Sequence, residues 1–451
     1  MSKNAPKYLI DSTRKQNIKE LYNMSYYKNN SVGNVQALFS KRIDTYSKGL
    51  TKPESKALKD ITKGILGSGS TIVRRISQSL HEKISLDKVC ERLYRNLKNE
   101  RLSKILKDNL LAHNSSKATD ETFFLVDGSD IIKPLSNKIE GLATVRDGDT
   151  GDLEKGFNLL NITSLTYNFE LNTYSILPIS SQLYSDDIEI DTSSNMLFDN
   201  IIDMTLYSNN KGTYVFDRGY DSRLLLMLLE ENENNYIIRS NASKNLIIDG
   251  EEHKFKEVVK GIERKYDIIS NGQLFKCGVK KVEIRENQYP VKNPTKFETY
   301  LVVASYGYNK GYFYFFCNFH DDNLSDLEII TKAIRGYTFR WKIEEFHREI
   351  KQDFDWEKIQ LMSYTGLKNL NSILMIAIDI VYSSIVYYDE LAVNFPEFGK
   401  KEKKKKLQKM KFIYYHLSNI IKHIFYSYKF KKKRVVKENY GNQLQLLIQF
   451  E

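Results

Sequence analysis

Two short runs constrain this chain more than any other feature. Phe123-Phe124-Leu125-Val126 and Thr213-Tyr214-Val215-Phe216 are continuous, largely apolar and rich in aromatic and β-branched residues. Runs of that length and kind are inner strands of a sheet, buried on both faces. Each is followed at once by an aspartate, Asp127 and Asp217. A sheet with such strands needs helices over both faces, and folds of this type gather their chemistry at strand ends. The neighbouring sequence agrees. LNITSLTYNFELNTYSILPISSQLY (160–184) reads as two more strands, DNIIDMTLYSN as a helix, Ser222 to Glu231 as another, and Tyr236-Ile237-Ile238-Arg239 as a further strand. Both aspartates are therefore expected at the C-terminal ends of strands in an α/β domain.

Four further regions surround this one. Residues 1–115 read as all-helical, with apolar spacing at Leu58, Ile61 and Ile65 and again at Leu86, Val89, Cys90, Leu93 and Leu97. Within them, two helices joined at Gly67-Ser68-Gly69-Ser70 have the outline of a helix-turn-helix. Arg74 and Arg75 fall early in its second helix, where base edges or phosphates would be met. Any two-helix unit with a glycine turn shares this outline, and the positive local charge is what favours DNA. The core's first part spans 116–244. Residues 245–318 read as an antiparallel, β-rich insertion, and 319–390 as the second part of the core, opened by Asn323, or by Ser325 with Glu328 in a capping box, and then helical. The segment 391–451 is basic and expected to be helical, with Lys403 to Lys406 its most exposed part.

The chain carries a net charge of +11, unevenly spread: roughly +13 over residues 1–110, roughly +14 over 400–437 and roughly −14 between them. Basic ends suit a polyanion such as a nucleic acid, because each neutralised phosphate releases condensed counterions. An acidic centre in such a chain makes sense if the acids hold metal. The apolar stretch from Ile373 to Tyr388 is short for a bilayer and contains Asp379, so it reads as a buried helix. MSKNAPKYLIDSTRKQ has no signal-peptide core, and Cys90, Cys277 and Cys317 show no CxxC pairing. These features lead to the expectation of a cytoplasmic, nucleoid-associated protein with no membrane contact, no disulfide framework and no zinc ribbon.

The most specific stretch is GYTFRWKIEEFHREIK, residues 336–351. On a regular helix Tyr337, Arg340, Glu344 and Lys351 fall within an arc of about 60°, and Phe339, Ile343, Phe346 and Ile350 face the other way. The polar stripe offers a carboxylate for a hard cation, and an Arg and a Lys for phosphate oxygens. A plain Arg–Glu pair on a solvated face would look the same in isolation. Together with the two aspartates, however, the stripe makes an oxygen-only site suited to two Mg²⁺ or Mn²⁺ ions, which can activate a hydroxyl and stabilise a departing oxygen in phosphoryl transfer. His320 and His347 have no second histidine at ligand spacing, and no glycine-rich phosphate loop is present.

LVDGSD, FDRGYDS and Y-(2)-R-(3)-E-(6)-K resemble the DDE transposases of bacterial cut-and-paste insertion sequences, in the insertion sequence four family, over roughly residues 121–390. The resemblance implies a ribonuclease-H-like catalytic core interrupted by a β-rich insertion. Asp127 would bridge both metal ions, Asp217 and Glu344 would complete one site each, and Tyr337, Arg340 and Lys351 would grip the phosphates of the element's end. It also implies cleavage at terminal inverted repeats, joining to target DNA and a homodimer on paired ends, with a hairpin intermediate in some relatives. Some relatives stack a flipped base on an aromatic of the insertion, for which Tyr306, Tyr308, Tyr312 and Tyr314 are available here. Two other readings stay open: a DNA-binding regulator that no longer transposes, and a metal-dependent nuclease without strand transfer. Asp130 and Asp221 are expected as capping or supporting groups. Glu345 points about 100° away from Glu344 on a helix.

Overall fold

Pairing between strands organises the molecule, a computed structural model that describes residues 30–148, 150–168, 173–188, 192–285, 296–306, 311–398 and 413–427. Tyr308 and the run Lys403 to Lys406 lie outside the described residues.

Five helices come first among the described residues. Residues 30–46 form α1, followed by α2 (Lys52–Ser68), α3 (Val73–Ser79), α4 (Leu86–Leu97) and α5 (Leu102–Ser115). Thr51 and Glu54 cap the start of α2 reciprocally, and Gly69, at φ +59°, ends it in the left-handed conformation that glycine tolerates. The strands β1 (Thr122–Ile132), β2 (Ala143–Arg146), β3 (Leu153–Asn168) and β4 (Thr173–Tyr184) follow, then α6 (Ser193–Ser208), β5 (Thr213–Phe216), α7 (Arg223–Glu231) and β6 (Asn235–Arg239). β1 pairs antiparallel with β3 and parallel with β5; β3 pairs antiparallel with β4, and β5 parallel with β6.

The β-rich segment comprises β7 (Asn245–Ile248), β8 (Glu251–Lys254), a short α8 (Phe255–Lys260), β9 (Tyr266–Ser270), β10 (Gln273–Arg285), β11 (Lys296–Tyr306) and β12 (Tyr312–Asn318). It joins the same sheet, because β12 pairs antiparallel with β6. The sheet runs β2-β3-β1-β5-β6-β12-β11-β10-β7-β8 among the described residues.

Helices α9 (Asp326–Phe339), α10 (Trp341–Arg348), α11 (Tyr364–Ser383), α12 (Tyr388–Asn394) and α13 (Tyr414–Ser427) follow among the described residues. Ser325 and Glu328 form the capping box expected for α9. The helical stretch is broken where the sequence suggested continuity: α9 ends at Phe339, and a wide turn with five-residue hydrogen bonding occupies Glu349–Asp353. Such turns insert one residue into a helix and recur at functional sites. Among the described residues only the stretch Tyr364–Asn394 is long and apolar enough to cross a membrane, and 78% of its apolar window is buried inside the protein. An all-round apolar helix covered in this way is the core of the domain.

The first five helices are not a separate body. Phe39 of α1 packs edge-to-face on Phe425 of α13, and Asn369 of α11 bonds both the end of α4 and the backbone of Ser103 in α5. The three cysteines are buried and unpaired with one another.

Candidate active site

The register of the parallel strands builds the site. Val126 pairs with Phe216, and Phe216 with Ile238. The residues that follow these pairs are Asp127, Asp217 and Arg239, which makes them neighbours just beyond the last paired residues of β5. On the other side of β1, Asp127 pairs with Asn161 of β3, which in turn pairs with Ser181 of β4. One polar row thus crosses five strands.

Asp217 ends its strand as expected, but Asp127 does not. β1 continues to Ile132, because β3 pairs with it along its full length, whereas β5 pairs only with Phe123 to Val126. The aspartate lies in mid-strand, at the point where the parallel neighbour stops and the sheet opens on one side.

Glu344 arrives on α10. The preceding helix lies close on the sheet: a Cβ added to Gly336 would stand 2.5 Å from Ile237 and 2.9 Å from Phe123, so this crossing needs glycine. Ile343, Phe346 and Ile350 are buried beneath it, while Phe339 is only partly covered. Despite the break in the helix, two of the four polar stripe residues, Tyr337 and Arg340, bond the row directly, Glu344 joins it through Arg340, and Lys351 bonds Asp130 farther along β1. Tyr337 donates its hydroxyl to Asp217 (3.3 Å). Arg340 donates to Asp127 Oδ2 (3.3 Å) and Glu344 Oε1 (2.7 Å), tying the two carboxylates together. Lys351, in the wide turn, bonds Asp130 (3.0 Å) and lies 3.6 Å from Glu357.

Burial pushes the Asp127 carboxyl up to about 6, against the neighbouring Arg340 guanidinium, and the charges of Asp217 and Glu344 add to the rise. Burial likewise pushes His347 down to about 3, leaving it neutral.

The supporting residues sort themselves. Asp130 accepts from Lys351 and the Gly148 backbone. Asp221 is buried, pairs with Lys244, and accepts from Ser240 and the Asn241 backbone, which fastens the turn after Asp217 to the end of β6. Glu345 turns away, accepting from Tyr415 of α13 at 2.9 Å. His320 lies 3.8 Å from Glu230. Arg74 and Arg75 are each in an intramolecular ion pair, with Asp87 (3.4 Å) and Asp355 (2.6 Å), on a helix of only seven residues. Tyr306 packs on Phe275, Tyr314 on Phe255, and Tyr312 lies under the Arg264 guanidinium.

Three members of the row, Arg239, Asn161 and Ser181, carried no role in the sequence. Arg239 ends a third buried run, Tyr236-Ile237-Ile238, and the repeated pattern of apolar run then charge was the available signal. Asn161 had none. It is fully buried, and both polar atoms of its side chain lack a partner among the described residues.

The donor chemistry suits a hard divalent cation: three neighbouring carboxylates, one of which, Asp127, resists ionisation chiefly through burial, and an unsatisfied carboxamide in the neighbouring pair position. Among the described residues no three His, Cys, Asp or Glu side chains converge closely enough to enclose an ion, and the cation between Asp127 and Glu344 is the Arg340 guanidinium.

No curated protein matches the chain. Among solved structures, a piggyBac transposase synaptic complex with hairpin DNA is similar at a TM-score of 0.36 and 8% identity, over 81% of this chain and 70% of that one. Residues 191–380, which include Asp217, Arg239, Arg340, Glu344 and Lys351 but not Asp127, match the family described as "Transposase DDE domain".

Proposed function

We propose that the chain is a DDE transposase that cuts DNA at the inverted repeats ending its element and joins the cut ends to target DNA. The observation that carries this reading is the register that sets Asp127 beside Asp217, with Glu344 brought to Asp127 through Arg340, in a chain whose residues 191–380 match a transposase DDE domain. The strand order around β1, antiparallel on one side and parallel on the other, supports a ribonuclease-H-like core. Asp127, Asp217 and Glu344 would hold two Mg²⁺ or Mn²⁺ ions. When bound, these supply an activated hydroxyl and stabilise the leaving oxygen.

The chain's own groups do the rest. The Tyr337 hydroxyl orients the Asp217 carboxylate. Arg340 offsets the repulsion between Asp127 and Glu344 and, once phosphate enters, has a fork matched to its oxygens. Lys351 is drawn toward the same side by Asp130. Basic surfaces outside the core, including Arg74 and Arg75 of α3, would add phosphate contacts, and a homodimer would bring two ends together.

The test uses end-labelled duplex taken from the DNA flanking the coding sequence, with Mg²⁺ or Mn²⁺. Asp127→Ala, Asp217→Ala and Glu344→Ala should each abolish cutting and leave DNA binding in place. Normal cutting by any of them would remove that residue from the metal site. Cut product that is never joined to a second DNA would favour the simple nuclease; binding without any cutting by the parent chain would favour the regulator.

A further inference from the structure

We propose that Arg239 is a third phosphate-binding cation of this site, gripping the DNA strand on the Asp217 side of the row. The inference rests on the transposase reading and deepens it, since neither the sequence pattern nor the family match gives Arg239 a role.

Position comes first. Arg239 follows Ile238 just as Asp217 follows Phe216 and Asp127 follows Val126, so it stands one strand beyond Asp217 in the same row. An arginine there is next to the reacting groups by register alone.

Its surroundings hold it as a planar group. The guanidinium lies 5.1 Å from the centre of the Phe313 ring, supplied by β12, and 5.8 Å from that of Tyr337. These rings fix the plane and favour Arg over Lys. Nη1 donates to the Tyr337 hydroxyl at 3.0 Å, and the same hydroxyl donates to Asp217. Arg239 itself stays 3.6 Å from Asp217, close enough for attraction but beyond a hydrogen bond.

Donor capacity decides the assignment. A guanidinium has five N–H groups. Among the described residues Arg239 spends one, on Tyr337, and its side chain is 28% exposed. Arg340 is only 14% exposed and already holds two carboxylates, and Lys351 is 19% exposed and holds Asp130. Of the three cations, Arg239 has the most donors to spare and the most access to solvent. A lone phosphodiester is an acceptor-only anion that matches this fork.

The bland alternative is that Arg239 merely neutralises Asp217. The experiment separates the two by measuring binding rather than turnover. The full chain is titrated with labelled duplex from the flanking DNA, in chelator, over a range of salt. Arg239→Gln should weaken binding and lower the slope of log affinity against log salt by about 0.9, the value for one lost phosphate contact. The same loss should appear when Arg239→Gln is made in an Asp217→Asn background, where there is no charge left to neutralise. Parental slope and affinity in Arg239→Gln, or a silent substitution in that background, would overturn the proposal.

Arg239→Lys keeps the charge that the rings and Asp217 face, and guards against misfolding of the Gln variant. A scan of the probe with single neutral methylphosphonates should find one position that costs the parent more than the Lys variant. Identical profiles would overturn the assignment. A parent chain that shows no salt-dependent duplex binding at all would instead break the transposase reading.

Discussion

Asp127 and Asp379 are both aspartates set among apolar residues, and they differ in company. Asp379 lies inside α11, fully buried. It accepts from Tyr46 at 2.7 Å and Asn114 at 3.0 Å, and forms an ion pair with Arg42 at 3.0 Å. Those partners come from α1 and α5, so one carboxylate ties the first helices to the central one. Asp127 faces two other carboxylates and shares a single guanidinium with one of them. A buried charge with several donors is a fastening. A crowded, underpaired carboxylate in an opening of the sheet is where a cation and a substrate are wanted.

The comparison predicts opposite consequences for similar substitutions. Asp379→Ala leaves Arg42 buried without its partner and should cost about 3–5 kcal/mol in urea unfolding of the full chain. Asp127→Asn, measured in chelator, should leave stability unchanged or raise it, because it removes repulsion and desolvation together. A loss at Asp127 as large as that at Asp379 would break the contrast.

A smaller and more selective effect is expected at the stripe. Arg340→Ala and Lys351→Ala should slow joining and any hairpin step by about 10²-fold, the scale for losing one electrostatic stabiliser, while leaving part of the first nick. A time course that follows nicked, double-cut and joined DNA separately reads this. Equal slowing of every step would recast both residues as supports for the carboxylates.

An effect confined to a pH range concerns Glu349, which is fully buried in the wide turn, bonded to Tyr382 and pushed by burial from 4.5 up to about 8. A carboxyl raised in the folded state stays protonated while the unfolded chain ionises. Its contribution is therefore full below pH 4.5 and is lost progressively as pH rises to about 8. Glu349→Gln should flatten that part of the stability–pH curve with little change in cutting. An unaltered slope would mean that the turn is held by other groups.

Local patterns in the sequence determined a great deal. The apolar runs of β1, β5 and β6, the capping box at Ser325, the buried reading of the helix around Asp379 and the grouping of Tyr337, Arg340 and Glu344 all follow from short-range periodicity and hydrogen bonding, which a linear sequence records. Tertiary structure decided what depends on strand partners. β3 outruns β5 along β1, so Asp127 sits in mid-strand rather than at an end. Pairing of β12 with β6 turns the β-rich segment into a continuation of the central sheet. Register places Asn161 and Arg239 in the row, and closure of the first helices over α11 gives Asp379 its partners. A strand's own residues fix that it is a strand. Which strand lies beside it, and in what register, is settled only when distant segments compete for the same backbone groups and the same buried face.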